Sequence, residues 1–198
     1  MLQFSSYALQ FVNFTAATGA ELLIVESGVT SALGGATLTP AQLAALEAQG
    51  RQVLGYVNTS VTDANRAYWN PTWVTPTNPA EPDVGVVSGT APAWLQNNFG
   101  TVDFNPAYPG PEAILVDYRD PAWRALVVAQ AVSVVQAGFH GVFLDDVARY
   151  FQAGYAGDGY DPTLADSMME LVLQVATAIR AIDPDAVVVV NSGVYIAY

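Results

Sequence analysis

The chain of 198 residues has no cysteine and only one histidine, His140, and its six basic residues are all arginine. Without cysteine there is no disulfide, no thiolate nucleophile and no cysteine-ligated zinc or iron, and the redox compartment is left open. A single histidine excludes poly-histidine metal sites, and its position at the start of a candidate strand excludes a histidine-based triad. Eighteen acids against six bases leave a net charge of −12. Such a field repels phosphate backbones and anionic membrane surfaces, so neither nucleic acid nor membrane is an expected partner. A neutral or cationic ligand suits it better. No apolar run approaches the roughly 20 residues that span a bilayer, which predicts a soluble chain. The opening Met1 to Phe11 lacks a basic region and is interrupted by Ser5, Ser6 and Gln10, so it does not read as a signal peptide; export requires a signal from outside this sequence.

The length suits one domain, 1–198. Short aliphatic runs alternate with helical patterns, as in parallel sheets built from βα units. Strands are expected at Tyr7 to Val12, Glu21 to Glu26, Gln52 to Asn58, Gly141 to Asp145 and Ala186 to Asn191, with a short extended segment at Ile114 to Tyr118. The first helix is expected at about Pro40 to Gln49, after Thr39 as N-cap and before Gly50. A second spans Pro121 to Ala137 between an Asp120 cap and Gly138, with Leu126, Ala129, Val132, Val135 and Gln136 as its packed face. A third runs from about Pro162, after Asp161, to Ile182. From Thr59 to Glu112 the chain is rich in Pro, Gly and Asn, with at best a helical turn at Asp63 to Tyr68. Loops this long are commonly functional, and three tryptophans argue against disorder.

Each candidate strand starts apolar and ends polar: Gln10 and Asn13, Glu26 and Ser27, Asn58, Asp117, Asp145 and Asp146, Asn191 and Ser192. In parallel α/β folds these carboxyl ends share one edge, where sites are assembled. An open doubly wound sheet commonly carries a Gly-rich phosphate loop after an early strand, and none is present. The expected fold is therefore an α/β (β/α)₈ barrel.

Asp145 and Asp146 end an otherwise apolar strand. Because side chains alternate by face, only one is expected to enter the barrel, and Asp145 is the choice. Asp146 is read as bracing the turn or as a substrate contact. Tyr7, Gln10, Tyr56, Asn58 and Asn191 are candidate hydrogen-bonding groups, binding either ligand or one another. Trp69, Trp73 and Trp94, with Tyr68 and Tyr108, are suited to stacking on sugar rings, or to forming a small core that orders the loop. Asp120 reads as a helix cap, and Asp117 with Arg119 as an ion pair or as sugar contacts, with Tyr118 between them. The Asp158-Gly-Tyr-Asp161 loop has too few acids for calcium, so no metal and no cofactor is expected.

Two motifs, Leu115-Val116-Asp117-Tyr118-Arg119-Asp120-Pro121-Ala122-Trp123 and Ala137-Gly138-Phe139-His140-Gly141-Val142-Phe143-Leu144-Asp145-Asp146-Val147, together resemble the endo-α-1,4-polygalactosaminidase glycoside hydrolases (a family 114-like barrel). Tyr7-Ala8-Leu9-Gln10, Leu22-Leu23-Ile24-Val25-Glu26 and Gly50 to Asn58 fall where that family places its first three strands. Glu26 stands where the family more often has Asp. The resemblance implies a (β/α)₈ barrel, here truncated after about the fifth strand. It implies a secreted enzyme hydrolysing α-linked galactosaminoglycan-like polysaccharide, with Asp145 catalytic. A polymer of deacetylated amino sugars also suits the acidic field. Glycosidases use two carboxylates, so the partner of Asp145 is Glu26, Asp117 or an acid beyond Tyr198. A carbohydrate-binding barrel that lacks the second acid is the alternative. Open barrel edges would favour self-association.

Overall fold

The computed structural model describes residues 6–10, 19–27, 38–76, 85–96, 114–150 and 162–191. Outside them lie the Gly-rich stretch after the second strand, the Gln152 to Tyr160 loop, Asn13, Tyr108, the Asp161 cap, the Asp158 to Asp161 acids and Ser192. The elements in chain order are β1 (Tyr7–Gln10), β2 (Leu22–Val25), α1 (Pro40–Glu47), β3 (Gln52–Asn58), β4 (Val61–Thr62), β5 (Val74–Pro76) and β6 (Gly85–Val87). They continue with α2 (Ala93–Gln96), β7 (Ile114–Leu115), α3 (Pro121–Gln136), β8 (Gly141–Asp145), α4 (Pro162–Arg180) and β9 (Val187–Val190).

Five strands form one sheet in the order β1-β2-β3-β8-β9, with every pair parallel. Among the described residues this sheet is open at β1 and β9, not closed into an eight-stranded barrel. Alternation divides its side chains between two faces. Leu23, Val25, Val53, Val57, Val142 and Leu144 join the large core under the helices. Leu22, Ile24 and Leu54 form the other face, with Phe143, Val187 and Val189 partly buried beside them.

The helices begin where their signals stand. Thr39 Oγ1 accepts from Gln42 N and the Gln42 side chain answers at Thr39 N, a reciprocal cap with Pro40 in the first turn. Asp120 Oδ1 accepts from Ala122 N at 2.7 Å, and α3 ends before Gly138 at φ +98°. The packed face of α3 is not the expected one. Trp123, Val127, Ala131, Val134 and Val135 are buried, whereas Ala129 and Gln136 are exposed. Apolar residues surround this helix, so residue type does not mark the buried stripe. Its close approach to β3 depends on Gly55, where a Cβ would fall 2.4 Å from Val134 Cγ1. On α4 the stripe is sharper, at Leu164, Met168, Leu171, Val175 and Ile179. Each such side chain contributes about 1.5–3 kcal/mol when fully buried.

Two further expectations are corrected. The segment after Ile114 does not enter the parallel sheet, because β7 pairs antiparallel with β4, which follows directly on β3. The stretch from Thr59 holds more than a helical turn: it contains β4, the antiparallel pair β5–β6 and α2. Its β-branched pairs Val74/Thr75 and Val86/Val87 make that ribbon, between prolines and glycines that read as loop.

Candidate active site

Strands β3 and β8 are neighbours, with Tyr56 opposite Phe143 and Asn58 opposite Asp145. Just past β3, Thr59 donates to the Asp145 carbonyl from its amide at 3.1 Å and from Oγ1 at 2.7 Å. Ser60 Oγ donates to the Asp146 carbonyl at 2.8 Å. The backbone that carries both acids is therefore tied to the neighbouring strand. At Asp146 the chain turns left-handed, with φ +56°, a conformation that costs a non-glycine residue about 1–2 kcal/mol.

That turn overturns the expectation that alternation sends the two acids to opposite sides. Asp145 Oδ2 accepts from the Tyr56 hydroxyl at 2.7 Å, while Oδ1 accepts from Asn191 Nδ2 at 2.7 Å and from the Asp146 amide at 2.9 Å. Asp146 Oδ2 accepts from Asn58 Nδ2 at 2.6 Å, and its Oδ1 from Arg149 Nε at 3.0 Å. Asn58 Nδ2 also reaches the Tyr56 hydroxyl, at 3.1 Å. One network thus joins both carboxylates through Tyr56 and Asn58.

Burial, and then the charge of Asp145, pushes the Tyr56 hydroxyl far above its ordinary value, so it serves as a donor at any working pH. Burial first, and the Asp145 charge second, raise the Asp146 carboxyl, against the opposing effect of Asn58 and Arg149. Three donors converge on Asp145, an arrangement suited to a nucleophile or base. Two acids with unlike surroundings are the pattern by which carboxylates divide roles.

Glu26, immediately after β2, is 7 % exposed and accepts from Arg66 Nη1 at 3.1 Å. Arg66 also bonds Asp63 through Nε at 2.9 Å, and its guanidinium carbon lies 5.6 Å from the centre of the Tyr56 ring. That separation is within cation–π range. Arg66 therefore links the tip of β2 to the site's tyrosine. Asp63, Arg66 and Arg149 were not among the residues expected at the site. The signal for them is an Asp-x-x-Arg spacing that occurs at Asp63/Arg66 and again at Asp146/Arg149, each a paired turn.

Other expected residues lie elsewhere. Asp117 is held by Arg119 through both oxygens, at 2.8 and 3.0 Å, which is the ion-pair reading. Tyr118 is fully buried and its hydroxyl donates to the Leu164 carbonyl at 3.2 Å, so it anchors α4 instead of meeting ligand. Trp94 is 3 % exposed and belongs to the core. It stands in a chain of rings, Trp69–Trp73–Trp94–Trp123, with centroids 5.6, 5.4 and 4.8 Å apart. Trp69, the partly buried end of that chain, keeps an accessible edge. Gln10 ends β1 on the same edge as the site, whereas Tyr7 begins that strand, opposite Leu22, at the far edge. His140 also lies at that far edge, as expected, where its Nδ1 accepts from Val53 N at 3.1 Å.

No family model matches the chain. It is 31 % identical over 150 residues to an uncharacterized protein of Deinococcus radiodurans, covering 76 % of this chain and 40 % of that one. It is 23 % identical over 176 residues to an uncharacterized protein of Thermotoga maritima, covering 89 % and 47 %. The chain thus spans less than half the length of these relatives. Among solved structures, it resembles the glycoside hydrolase domain of PelA from Pseudomonas aeruginosa with a TM-score of 0.62 at 18 % identity, covering 96 % of this chain and 61 % of that one. Aspergillus fumigatus Ega3, in complex with galactosamine, matches with a TM-score of 0.55 at 14 % identity over 92 % and 57 %. An alpha-galactosidase from Thermus thermophilus gives 0.53 at 11 % over 98 % and 40 %. At these identities the likeness is one of fold: an α/β parallel sheet of the kind found in barrel-type glycoside hydrolases.

Proposed function

We propose that this chain carries part of the active site of a glycoside hydrolase of the endo-α-1,4-polygalactosaminidase type, acting on α-linked galactosaminoglycan-like polysaccharide outside the cell. The observation that carries the reading is Asp145, at the carboxyl end of the fourth strand of the parallel sheet, gripped by Tyr56, Asn191 and the Asp146 amide. In barrel enzymes that edge is where catalytic groups gather. The fold neighbours include a glycoside hydrolase domain and a protein bound to galactosamine, which supports the same substrate class. In this reading Asp145 attacks the anomeric carbon, or activates the water that does, while the glycosidic C–O bond breaks and the leaving oxygen takes a proton from a second acid. Asp146, next in the chain and joined to Asp145 through Tyr56 and Asn58, is the described acid best placed to hold a proton: burial and the Asp145 charge raise its carboxyl against its own pair with Arg149.

The test is hydrolysis of an α-1,4-linked galactosamine polymer, followed by reducing-end release. Asp145→Asn is expected to lower the rate by at least about 10³-fold with circular dichroism unchanged, a loss near 4 kcal/mol of transition-state stabilisation. Full activity in that variant rejects the assignment. Tight binding of the polymer by the wild type without any cleavage would instead favour the carbohydrate-binding alternative.

A further inference from the structure

Asn58 was expected to contact substrate, yet every polar atom of its side chain is engaged within the protein. Its Oδ1 accepts from Ser60 N at 3.1 Å and from Val61 N at 2.8 Å. Backbone N–H groups only donate, so the atom facing them must be the oxygen, and the orientation of the amide is not free. The NH₂ group is thereby aimed at two acceptors, the Tyr56 hydroxyl oxygen at 3.1 Å and Asp146 Oδ2 at 2.6 Å. Because it accepts a hydrogen bond from Asn58 Nδ2, the Tyr56 oxygen directs its own hydrogen away, and Asp145 Oδ2 lies 2.7 Å off to accept it in a hydrogen bond. A proton on Asp145 Oδ2 facing Tyr56 would set donor against donor. The other Asp145 oxygen already faces two N–H groups, from Asn191 and Asp146.

We infer that Asn58 is a positioning residue: locked by the turn that follows β3, it sets the direction of the Tyr56–Asp145 hydrogen bond and so presents Asp145 to the sugar as an acceptor. This rests on the glycosidase reading for its catalytic consequence, but not for the polarity of the bond. The chain of command runs from backbone to amide to phenol to carboxylate, and a change at its start reverses the end. Asp146 touches the same amide, so Asn58 is the hinge between the two acids and not merely a brace for one.

Asn58→Asp keeps the shape and the oxygen that meets Ser60 and Val61, but replaces the donor with a second acceptor. The direct readout is the Tyr56 hydroxyl proton by NMR, assigned by its absence in Tyr56→Phe. It is expected as a slowly exchanging downfield resonance in the wild type, displaced in Asn58→Asp. In Asn58→Ser, which retains an oxygen for the turn and serves if the aspartate variant does not fold, it is expected to broaden through exchange. With the α-1,4-linked galactosamine polymer, Asn58→Asp is expected to lose roughly 100-fold in kcat with KM little changed. Most of that loss should be absent when Tyr56 is already Phe, since the two act in series. An unmoved resonance in both Asn58 variants, or losses that simply multiply in the double variant, overturns the inference. If the wild type cleaves no such polymer, the functional reading falls while the resonance still decides the direction of the bond.

Discussion

At the amino-terminal ends of the parallel strands, backbone amides are satisfied one at a time by backbone carbonyls: Gln52 N by that of Glu21, His140 N by that of Val53, and Val187 N by that of His140. At the carboxyl-terminal ends of the same strands, side chains bond side chains, and acids from β2, β8 and the turn after β4 share arginines, a tyrosine and asparagines. The strands are common to both edges, so the difference lies in what the residues there are for. One edge completes the sheet. The other holds charges in fixed relation through shared side-chain hydrogen bonds, the arrangement on which the proposed activity rests.

The comparison can be tested by substitutions at either edge. The largest effect is expected at Gly141, the first residue of β8, whose φ is +153° and where a Cβ would lie 1.9 Å from the Val187 carbonyl oxygen. Gly141→Ala must push β9 away, and a loss of at least about 4 kcal/mol in urea unfolding is expected. A cost under about 1 kcal/mol would mean that the β8–β9 register is softer than described. Next comes Arg66→Met, which removes the ion pair to buried Glu26 and should cost about 3 kcal/mol. Adding Glu26→Gln should recover part of that stability; no recovery would show that Arg66 acts chiefly through Asp63 and Tyr56. This variant sharpens the contrast, because it asks whether the site edge also bears on the fold. The smallest effect is expected for His140→Ala, which removes the acceptor of the buried Val53 amide and should cost about 1–2 kcal/mol while polymer hydrolysis proceeds at the wild-type rate. A marked fall in kcat there would break the division between the edges.

Much of this architecture was legible from local signals. The strands at Leu22, Gln52, Gly141 and Val187 announce themselves as aliphatic runs, and Thr39, Asp120 and Gly138 mark helix ends by side-chain chemistry that acts over three or four residues. What stayed hidden depends on partners distant in sequence. Ile114 to Tyr118 read as a short extended segment whose polar end, Asp117, was grouped with the strand tips, yet Ile114 and Leu115 pair antiparallel with Thr62 and Val61, a choice of neighbour that periodicity does not encode. Tyr118 and Trp94 look like ligand-facing aromatics on a loop until α4 and the tryptophan chain close over them. Asp146 was read as a turn brace or substrate contact facing away from Asp145 by strand alternation, a rule that holds only while φ stays negative; its left-handed turn brings the two acids into one network. Tyr56, Asn58, Asp145 and Asn191 were found at the strand tips, but their mutual bonds, and the arginine beside them, emerge only once β3, β8 and β9 lie side by side.

The four indoles of this protein make up one contiguous array, and its inner end, Trp123, donates from Nε1 to the Thr59 carbonyl at 2.7 Å, while Thr59 itself grips Asp145. Rings at such spacing exchange excitation much faster than they emit, so the molecule has a single collective ultraviolet emitter in place of four independent ones. Its colour and intensity are set by whichever indole lies lowest in energy, and a molecule that settles against the outer ring at Trp69 would be reported by the whole array at once. The protein thus carries its own optical gauge, wired through Thr59 to the backbone of Asp145 without any added dye.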